Sequence, residues 1–354
     1  MVMTRTPTMK ALVIDRANAP FRLAEVPRPA PDVGQLLIRI HASGVNPLDT
    51  KIRAGLAAHA RQPLPAILGV DLAGVVEEVG PRADTFRRGD EVWGLTGGVG
   101  GLPGSLAELA AVDAAVVARK PARLSMREAA ALPLVAITAW EGLVDRANVR
   151  AGQKVLIHGG AGGVGHVAIQ IARARGAEVF ATVRARDADY VRSLGATPID
   201  YEQTSVDDYV VEHTAGRGFA IVFDTVGSTT LEASFAAVAR YGHVVSSLGW
   251  GTHPLSPLSV KGASFSGVFS LIPLLTGDGR AHHGAILGEI AQLAHDGKLI
   301  PRLDPRSFAL DNKVADAYEA ITTHRARGKL VVSIVQSGPR PPVADPPVTG
   351  RPTS

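Results

Sequence analysis

Three glycines in Gly160-Ala-Gly162-Gly-Val-Gly165 stand at the spacing G-x-G-x-x-G, and Gly163 and Val164 complete the loop. The apolar run Lys154–His158 precedes them and the helical pattern of Val164–Arg175 follows. The spacing has a physical reason. The first glycine allows a tight turn, the second lets backbone approach a pyrophosphate, and the third lets helix and strand pack closely. The helix N-terminus then offers unpaired N–H groups and a positive dipole end to phosphate. A strand, this loop, a helix and a second strand (Glu178–Val183) are in sequence, so the loop is expected to hold a dinucleotide cofactor. An acid at the end of the second strand would hold the ribose of NAD. Here Val183 is followed by Arg184-Ala-Arg186, and Asp187 comes only after both arginines. Two guanidiniums suit the 2′-phosphate of NADP, because each pairs with phosphate oxygens in a fixed fork. The cofactor expected is therefore NADPH; the other reading of the pair is solvated loop arginines.

The chain has no cysteine, which removes disulfides, thiolate catalysis and Cys-ligated zinc. Its eleven histidines are scattered and show no H-x-x-x-H spacing, so no metal site is expected. His282 and His283 are adjacent, and a helix would point them in different directions.

The elements that must position these residues are legible in outline. Up to about residue 125 the chain reads as β-rich, with apolar runs at Met9–Ile14, Leu36–Ile40 and Asp71–Val79 broken by Pro and Gly. Ser125-Met-Arg-Glu128 is a capping box that should open a helix through Ala129–Ala131, resuming near Ile137. From Gln153 onward strands and helices alternate: helices near Ala188–Leu194 and Thr230–Ala239, strands at Ala220–Asp224 and His243–Ser247, and a last helix near Gly284–His295. That alternation implies a parallel sheet covered by helices on both faces, an α/β class fold. The apolar run Lys329–Val335 could return to the first sheet. Division follows at 1–131 with 300–336 (β-rich, catalytic), 132–299 (cofactor-binding) and 337–354, a Pro-rich tail expected to be disordered.

The totals agree. A chain of 354 residues fits two domains. A net charge of +4 with no dense basic block makes nucleic acid an unexpected partner. No run of 18 uncharged apolar residues predicts a membrane span, and the N-terminus lacks an apolar signal core, so a cytoplasmic protein is expected.

Seven spaced segments carry a resemblance: GVNPLDTKIRAG (Gly44–Gly55), PAILGVDLAGVVEEVG (Pro65–Gly80), RRGDEVWG (Arg87–Gly94), AALPLVAITAWEGL (Ala130–Leu143), VLIHGGAGGVGHVAIQIAR (Val155–Arg173), FDTVG (Phe223–Gly227) and GKLVVSIV (Gly328–Val335). In these the chain resembles the medium-chain dehydrogenase/reductase superfamily, in its zinc-free quinone oxidoreductase and enone reductase branch. The resemblance implies a doubly wound (Rossmann) cofactor domain inserted in a partly barrel-like, GroES-like β domain, with the site in the cleft between them. It implies pairing into a homodimer through an edge strand, here near Ala263–Phe269. The superfamily's zinc enzymes use a Cys, a His-Glu pair and a further Cys or Asp. This chain has Asn46 at the Cys position and Val70-Asp71 at the His-Glu position.

Without a metal, hydride transfer from a nicotinamide favours acceptors that are already electron-poor, namely quinones and α,β-unsaturated carbonyls. By resemblance, Asn46 lines the nicotinamide end of the cleft. Lys51 stands where many quinone oxidoreductases carry Tyr and plant-type enone reductases carry Lys. Its ammonium could stabilise an enolate oxygen or donate a proton; the alternatives are a salt bridge with Asp49 or exposure to solvent. The resemblance also places Thr138 near the nicotinamide and phosphates, Tyr201 near the 2′-phosphate, and Val226 and Gly227 on the adenosine side. Gly249 should approach the nicotinamide and Lys329 the cofactor. Trp250, Phe265 and Phe269 could wall a pocket for flat substrates. The competing functions are reduction of enoyl thioesters of CoA and a non-catalytic NADPH-binding or RNA-binding module.

Overall fold

The computed structural model describes residues 7–311 and 313–335; the Pro-rich segment 337–354 lies outside them. Eight strands come first: β1 (Thr8–Ile14), β2 (Arg22–Pro27), β3 (Gln35–Val45), β4 (Ala66–Ile67), β5 (Asp71–Val79), β6 (Glu91–Leu95), β7 (Leu109–Asp113) and β8 (Val117–Arg119). One short helix, α1 (Pro47–Arg53), lies among them, and α2 (Met126–Ala130) and α3 (Pro133–Trp140) follow. The long strand β3 is the spine. It pairs antiparallel with β5 and β7.

The second half alternates as expected: β9 (Lys154–His158), α4 (Gly163–Ala174), β10 (Glu178–Val183), α5 (Ala188–Ser193), β11 (Thr197–Asp200), α6 (Val206–Thr214), β12 (Phe219–Asp224), α7 (Thr229–Ala237), β13 (Val238–Ser246), α8 (Ser256–Lys261) and β14 (Ser264–Gly267). All six strands are parallel, in the order β11-β10-β9-β12-β13-β14. The order reverses at β9, which leaves a crevice beyond the strands' carboxyl ends, the place where open α/β sheets bind ligands. Both faces of the sheet are covered, so β9 and β12 are apolar runs rather than alternations: Val155, Leu156, Ile157, Ile221, Val222 and Phe223 are all buried.

The chain then returns through α9 (Ile272–Thr276), α10 (Arg280–His295), β15 (Phe308–Ala309), α11 (Val314–Thr322) and β16 (Leu330–Ser333). The terminal apolar run does rejoin the first sheet, since β16 pairs antiparallel with β3.

Two helices deserve their physical cause. The Ser125–Glu128 capping box forms, with Ser125 Oγ accepting from Glu128 N at 3.2 Å and Glu128 Oε2 accepting from Ser125 N at 2.8 Å. The helix breaks at Leu132 because Pro133 cannot continue it but suits the first turn of α3. Elsewhere the boundaries moved. β13 begins five residues before the expected His243, through a register shift against β12, and α10 begins at Arg280 rather than Gly284.

Candidate active site

A cleft of about 760 Å³ lies between the sheet built on β3 and the parallel sheet. It is lined by Asn46, Lys51, Thr138, Gly162, Gly163, Val164, Arg184, Arg186, Tyr201, Val226, Trp250, Phe269 and Lys329, so most of the residues singled out above meet in one place. Gly160, Gly165, Gly227 and Gly249 do not line it.

The glycine loop works as expected with one correction. The tight turn is made by Gly159, at φ +73, and not by Gly160. Gly160 is required for another reason: a Cβ there would come within 2.6 Å of the Ala181 Cβ on β10. At Gly165 a Cβ would sit 2.1 Å from the Gly159 carbonyl oxygen, so α4 crosses β9 in backbone contact. The carbonyl of Gly162 is fixed from inside the helix by His166, 2.9 Å away through Nδ1. Burial pushes the His166 pKa down to about 4, so the ring is neutral and donates from Nδ1, while Nε2 accepts from Arg302 N at 3.3 Å. The loop's shape thus depends on a histidine the sequence did not single out.

At the end of β10, Arg184 and Arg186 stand exposed, as the sequence implied. Arg184 Nε donates to the Tyr201 hydroxyl at 3.0 Å and to Glu202 Oε1 at 3.1 Å, and these contacts raise its pKa. Both members of the Arg184–Glu202 pair are about half exposed; such pairs are weak and yield to a better anion. Asp187 is not a free acid, because its Oδ1 accepts from Arg302 Nη1 at 3.1 Å and its Oδ2 lies 3.6 Å from Arg186 Nε.

At the other end of the cleft three buried groups bind one another. Asn46 Nδ2 donates to Asp71 Oδ2 at 2.9 Å, and the Lys329 ammonium donates to Asn46 Oδ1 and, at 3.2 Å, to the Val45 carbonyl. Lys329 Nζ is 3.7 Å from Asp71 Oδ2. Asp71 Oδ1 accepts from Leu134 N at 2.8 Å, which caps α3 with negative charge. Burial raises the Asp71 pKa against the pull of Lys329 and lowers that of Lys329 against the pull of Asp71. Both ends of the Asn46 amide are therefore committed to protein partners. Asn46 shapes the cleft wall rather than presenting a free amide. The Lys329 stem, not its ammonium, faces the glycine loop, with Cδ 3.5 Å from where a Gly163 Cβ would be.

The mouth is aromatic. Trp250 stacks on His59 at 5.0 Å between centroids, and Phe269 meets the edges of both rings at 5.8 and 6.0 Å. Desolvation and then the neighbouring Lys51 charge lower the His59 pKa, so its ring is neutral in neutral solution. Lys51 is exposed and makes no ion pair among the described residues; Asp49 instead faces inward, where its Oδ2 accepts from Asn46 N at 2.8 Å. The salt-bridge alternative for Lys51 is thereby removed. Phe265 lies outside the cleft, edge-on to Phe235 at 6.0 Å. Gly249 is a second correction. It packs toward Phe265, at 3.3 Å from a would-be Cβ, while its neighbours Leu248 and Trp250 line the cleft. Asp71, His59, His166 and Ser270 were missed. Asp71 alone carried a signal, since an acid opening an otherwise apolar strand needs a partner.

No group of three or more His, Asp or Glu that could hold a metal occurs among the described residues. No helix is long and apolar enough to cross a membrane there.

Strand order, glycine loop and crevice together define a dinucleotide-binding α/β protein. Residues 32–122 match the family described as "Alcohol dehydrogenase GroES-like domain" and residues 163–272 the family described as "Zinc-binding dehydrogenase". The chain is 36% identical over 316 residues to the 2-methylene-furan-3-one reductase of Solanum lycopersicum, covering 85% of this chain and 73% of that one. It is 34% identical over 305 residues to the chloroplastic NADPH-dependent alkenal/one oxidoreductase of Arabidopsis thaliana, covering 84% and 72%. A solved alcohol dehydrogenase superfamily protein from Novosphingobium aromaticivorans superposes with a TM-score of 0.91 at 60% identity, over 93% of this chain and all of that one. The chain belongs to the medium-chain dehydrogenase/reductase superfamily, in its quinone and enone oxidoreductase branch.

Proposed function

We propose that this protein uses NADPH to reduce quinones or α,β-unsaturated carbonyl compounds. The observation that carries the reading is the pair of ends of one cleft: an arginine-lined end beside the glycine loop, and an aromatic mouth with a single exposed ammonium. The residues fit the cofactor. The N-terminus of α4, with Gly162, Gly163 and Val164, would hold the pyrophosphate, and Arg184, Arg186 and the Tyr201 hydroxyl the 2′-phosphate. Asp187 is held by Arg302 and Arg186, which draws its carboxylate away from a ribose diol. The relative named for NADPH dependence supports the same choice.

When bound, the cofactor supplies a hydride at the nicotinamide end. The chain's own part is to orient, exclude water and balance charge. Trp250, His59 and Phe269 offer flat faces to a conjugated acceptor. Lys51, nearby in the same wall, stabilises the oxyanion that forms as the acceptor is reduced. We also propose a homodimer paired through β14, the exposed edge of the parallel sheet.

The test is NADPH oxidation, followed by absorbance, against a naphthoquinone, an alkyl vinyl ketone, a 2-alkenal, crotonyl-CoA and a simple aldehyde, with NADH in parallel. The expected result is turnover of quinone or enone with NADPH preferred. Crotonyl-CoA reduced best, or no acceptor reduced by a protein that binds NADPH, would overturn the reading.

A further inference from the structure

A row of polar groups leaves the cleft beside Phe269 and enters the protein. Thr138 and Ser270 line the cleft. Thr138 Oγ1 is 2.7 Å from the Leu134 carbonyl and 3.1 Å from Ser270 Oγ. Ser270 Oγ is 3.0 Å from Glu141 Oε2, and Glu141 Oε1 is 3.1 Å from His283 Nε2. His283 is wholly buried, and its Nδ1 has no partner. Glu141 keeps 15% of its side chain exposed, so water reaches it.

We propose that this row is the proton path of the reduction, with Ser270 handing the proton to the reduced acceptor and Glu141 restoring it from solvent. The inference rests on the reductase reading above.

Counting protons supports it. The three contacts from Leu134 O through Thr138 and Ser270 to Glu141 need three protons. The Leu134 carbonyl only accepts, and the two hydroxyls supply two. With Glu141 ionised, Ser270 donates to it and Thr138 donates to Leu134 O. The Thr138–Ser270 contact then brings two oxygens together with no proton between them. With a proton on Glu141 every contact is filled in one direction: Glu141 donates to Ser270, Ser270 to Thr138 and Thr138 to Leu134 O. His283 donates from Nε2 to Glu141 Oε1. Its bare Nδ1 is then a lone pair rather than an unpaired buried N–H. The row thus has room for one more proton than its hydroxyls carry.

The backbone adds an independent observation. Directly after α3 the helix widens into a π-turn at Glu141–Arg146, marked by the Ala147 N to Gly142 O bond at 3.1 Å. Single π-turns are frequent at functional sites. This one starts at the carboxylate of the row. It seats Gly142 against the Phe223 ring, where a Cβ would approach to 2.8 Å.

The step balances. Hydride supplies the electron pair to the acceptor. The Ser270 hydroxyl turns from Thr138 to the acceptor, and its O–H bond breaks as an O–H bond forms on the enolate or quinolate oxygen. The Glu141 O–H bond breaks as the Ser270 hydroxyl is restored, and water reprotonates Glu141. For an enone the enol released then tautomerises. Ser270 is the member of the row that lines the cleft and would meet the reacting atoms; Glu141 and His283 act through it.

Ser270→Ala and Glu141→Gln are compared with wild type for kcat, KM for NADPH, thermal midpoint and the solvent deuterium isotope effect on kcat. The expected result for both is a kcat lower by about 100-fold, KM for NADPH within about twofold, and a changed isotope effect. Ser270→Thr restores most of the rate, which a packing role alone would not require. A kcat within about threefold of wild type in Glu141→Gln, with the isotope effect unchanged, overturns the proposal even where Ser270→Ala fails to fold. Infrared difference spectra of wild type against Glu141→Gln, recorded during turnover, read proton transfer through the carboxylate directly. A transient carboxyl band in wild type that shifts in D2O supports the path, and its absence overturns it. This measurement separates failure of the path from failure of the reductase reading, which would show as no turnover of any acceptor by wild type.

Discussion

Lys51 and Asp49 are two positions apart on α1 and meet opposite fates. One faces the cleft mouth, and the other is buried beside Asn46. For Lys51→Ala we expect kcat/KM for quinone or enone to fall about 100-fold with KM for NADPH little changed, measured by steady-state kinetics. For Arg184→Ala the KM for NADPH rises about 10-fold while that for NADH stays put, because only the former carries the phosphate. Asp49 makes a prediction about stability. Burial is the largest cause of its pKa rise from 3.8 to about 7, and the bond from Asn46 N and the Lys329 charge oppose it. The folded state therefore holds this proton more tightly than the unfolded state. The contribution is fully present below about pH 4 and is lost as pH rises through 7, up to about 4 kcal/mol if the shift is taken at face value. His158 and His166, held near 4 by burial, act in the opposite sense and lose stability as pH falls from 6.5. The clean readout is thus a difference. Denaturant melts at pH 5 and pH 8 should show Asp49→Asn less weakened at the higher pH than wild type; equal slopes would refute the assignment.

Among the elements, the β9–α4 crossing is the most exacting. A methyl at Gly165 would lie 2.1 Å from backbone, and backbone cannot yield as a side chain can. Gly165→Ala should lower the thermal midpoint by several degrees and abolish NADPH binding in a fluorescence titration. Gly163→Ala meets only ordinary contacts at 3.5 Å and should fold normally. The strands and helices of this half were legible because each buried face repeats: continuous apolar runs for two-sided strands, a 3.6-residue stripe for α4. The start of β13 was not. A register shift against β12 draws Val238 into pairing, and no local pattern announces a shift of that kind. The π-turn after α3 was equally silent; it sets Gly142 against the distant Phe223 ring, a contact that no local pattern announces.

At the scale of the whole molecule, the cleft exists because the chain crosses between its sheets twice. α3 starts on Asp71 of the first sheet and packs on α4 of the second half; β16 returns to pair with β3 and carries Lys329 back to Asn46. Pairing through β14 belongs to this scale too. Phe265→Asp on that edge should convert a dimer to a 36.9 kDa monomer by sedimentation velocity, and a wild-type monomer would dismiss the interface. From sequence alone came the cofactor loop, the arginine pair, the absence of cysteine and the family. Each rests on local spacing, or on residue types that are simply present or missing. Tertiary structure alone decided that Asn46 is bound by Asp71 and Lys329, that Gly159 rather than Gly160 turns the loop, that Gly249 stands outside the cleft and that His59 stacks on Trp250. It also joined Ser270 to Glu141 and His283. Those facts depend on contacts between residues as many as 284 positions apart, and separations of that length leave no periodic trace in a chain.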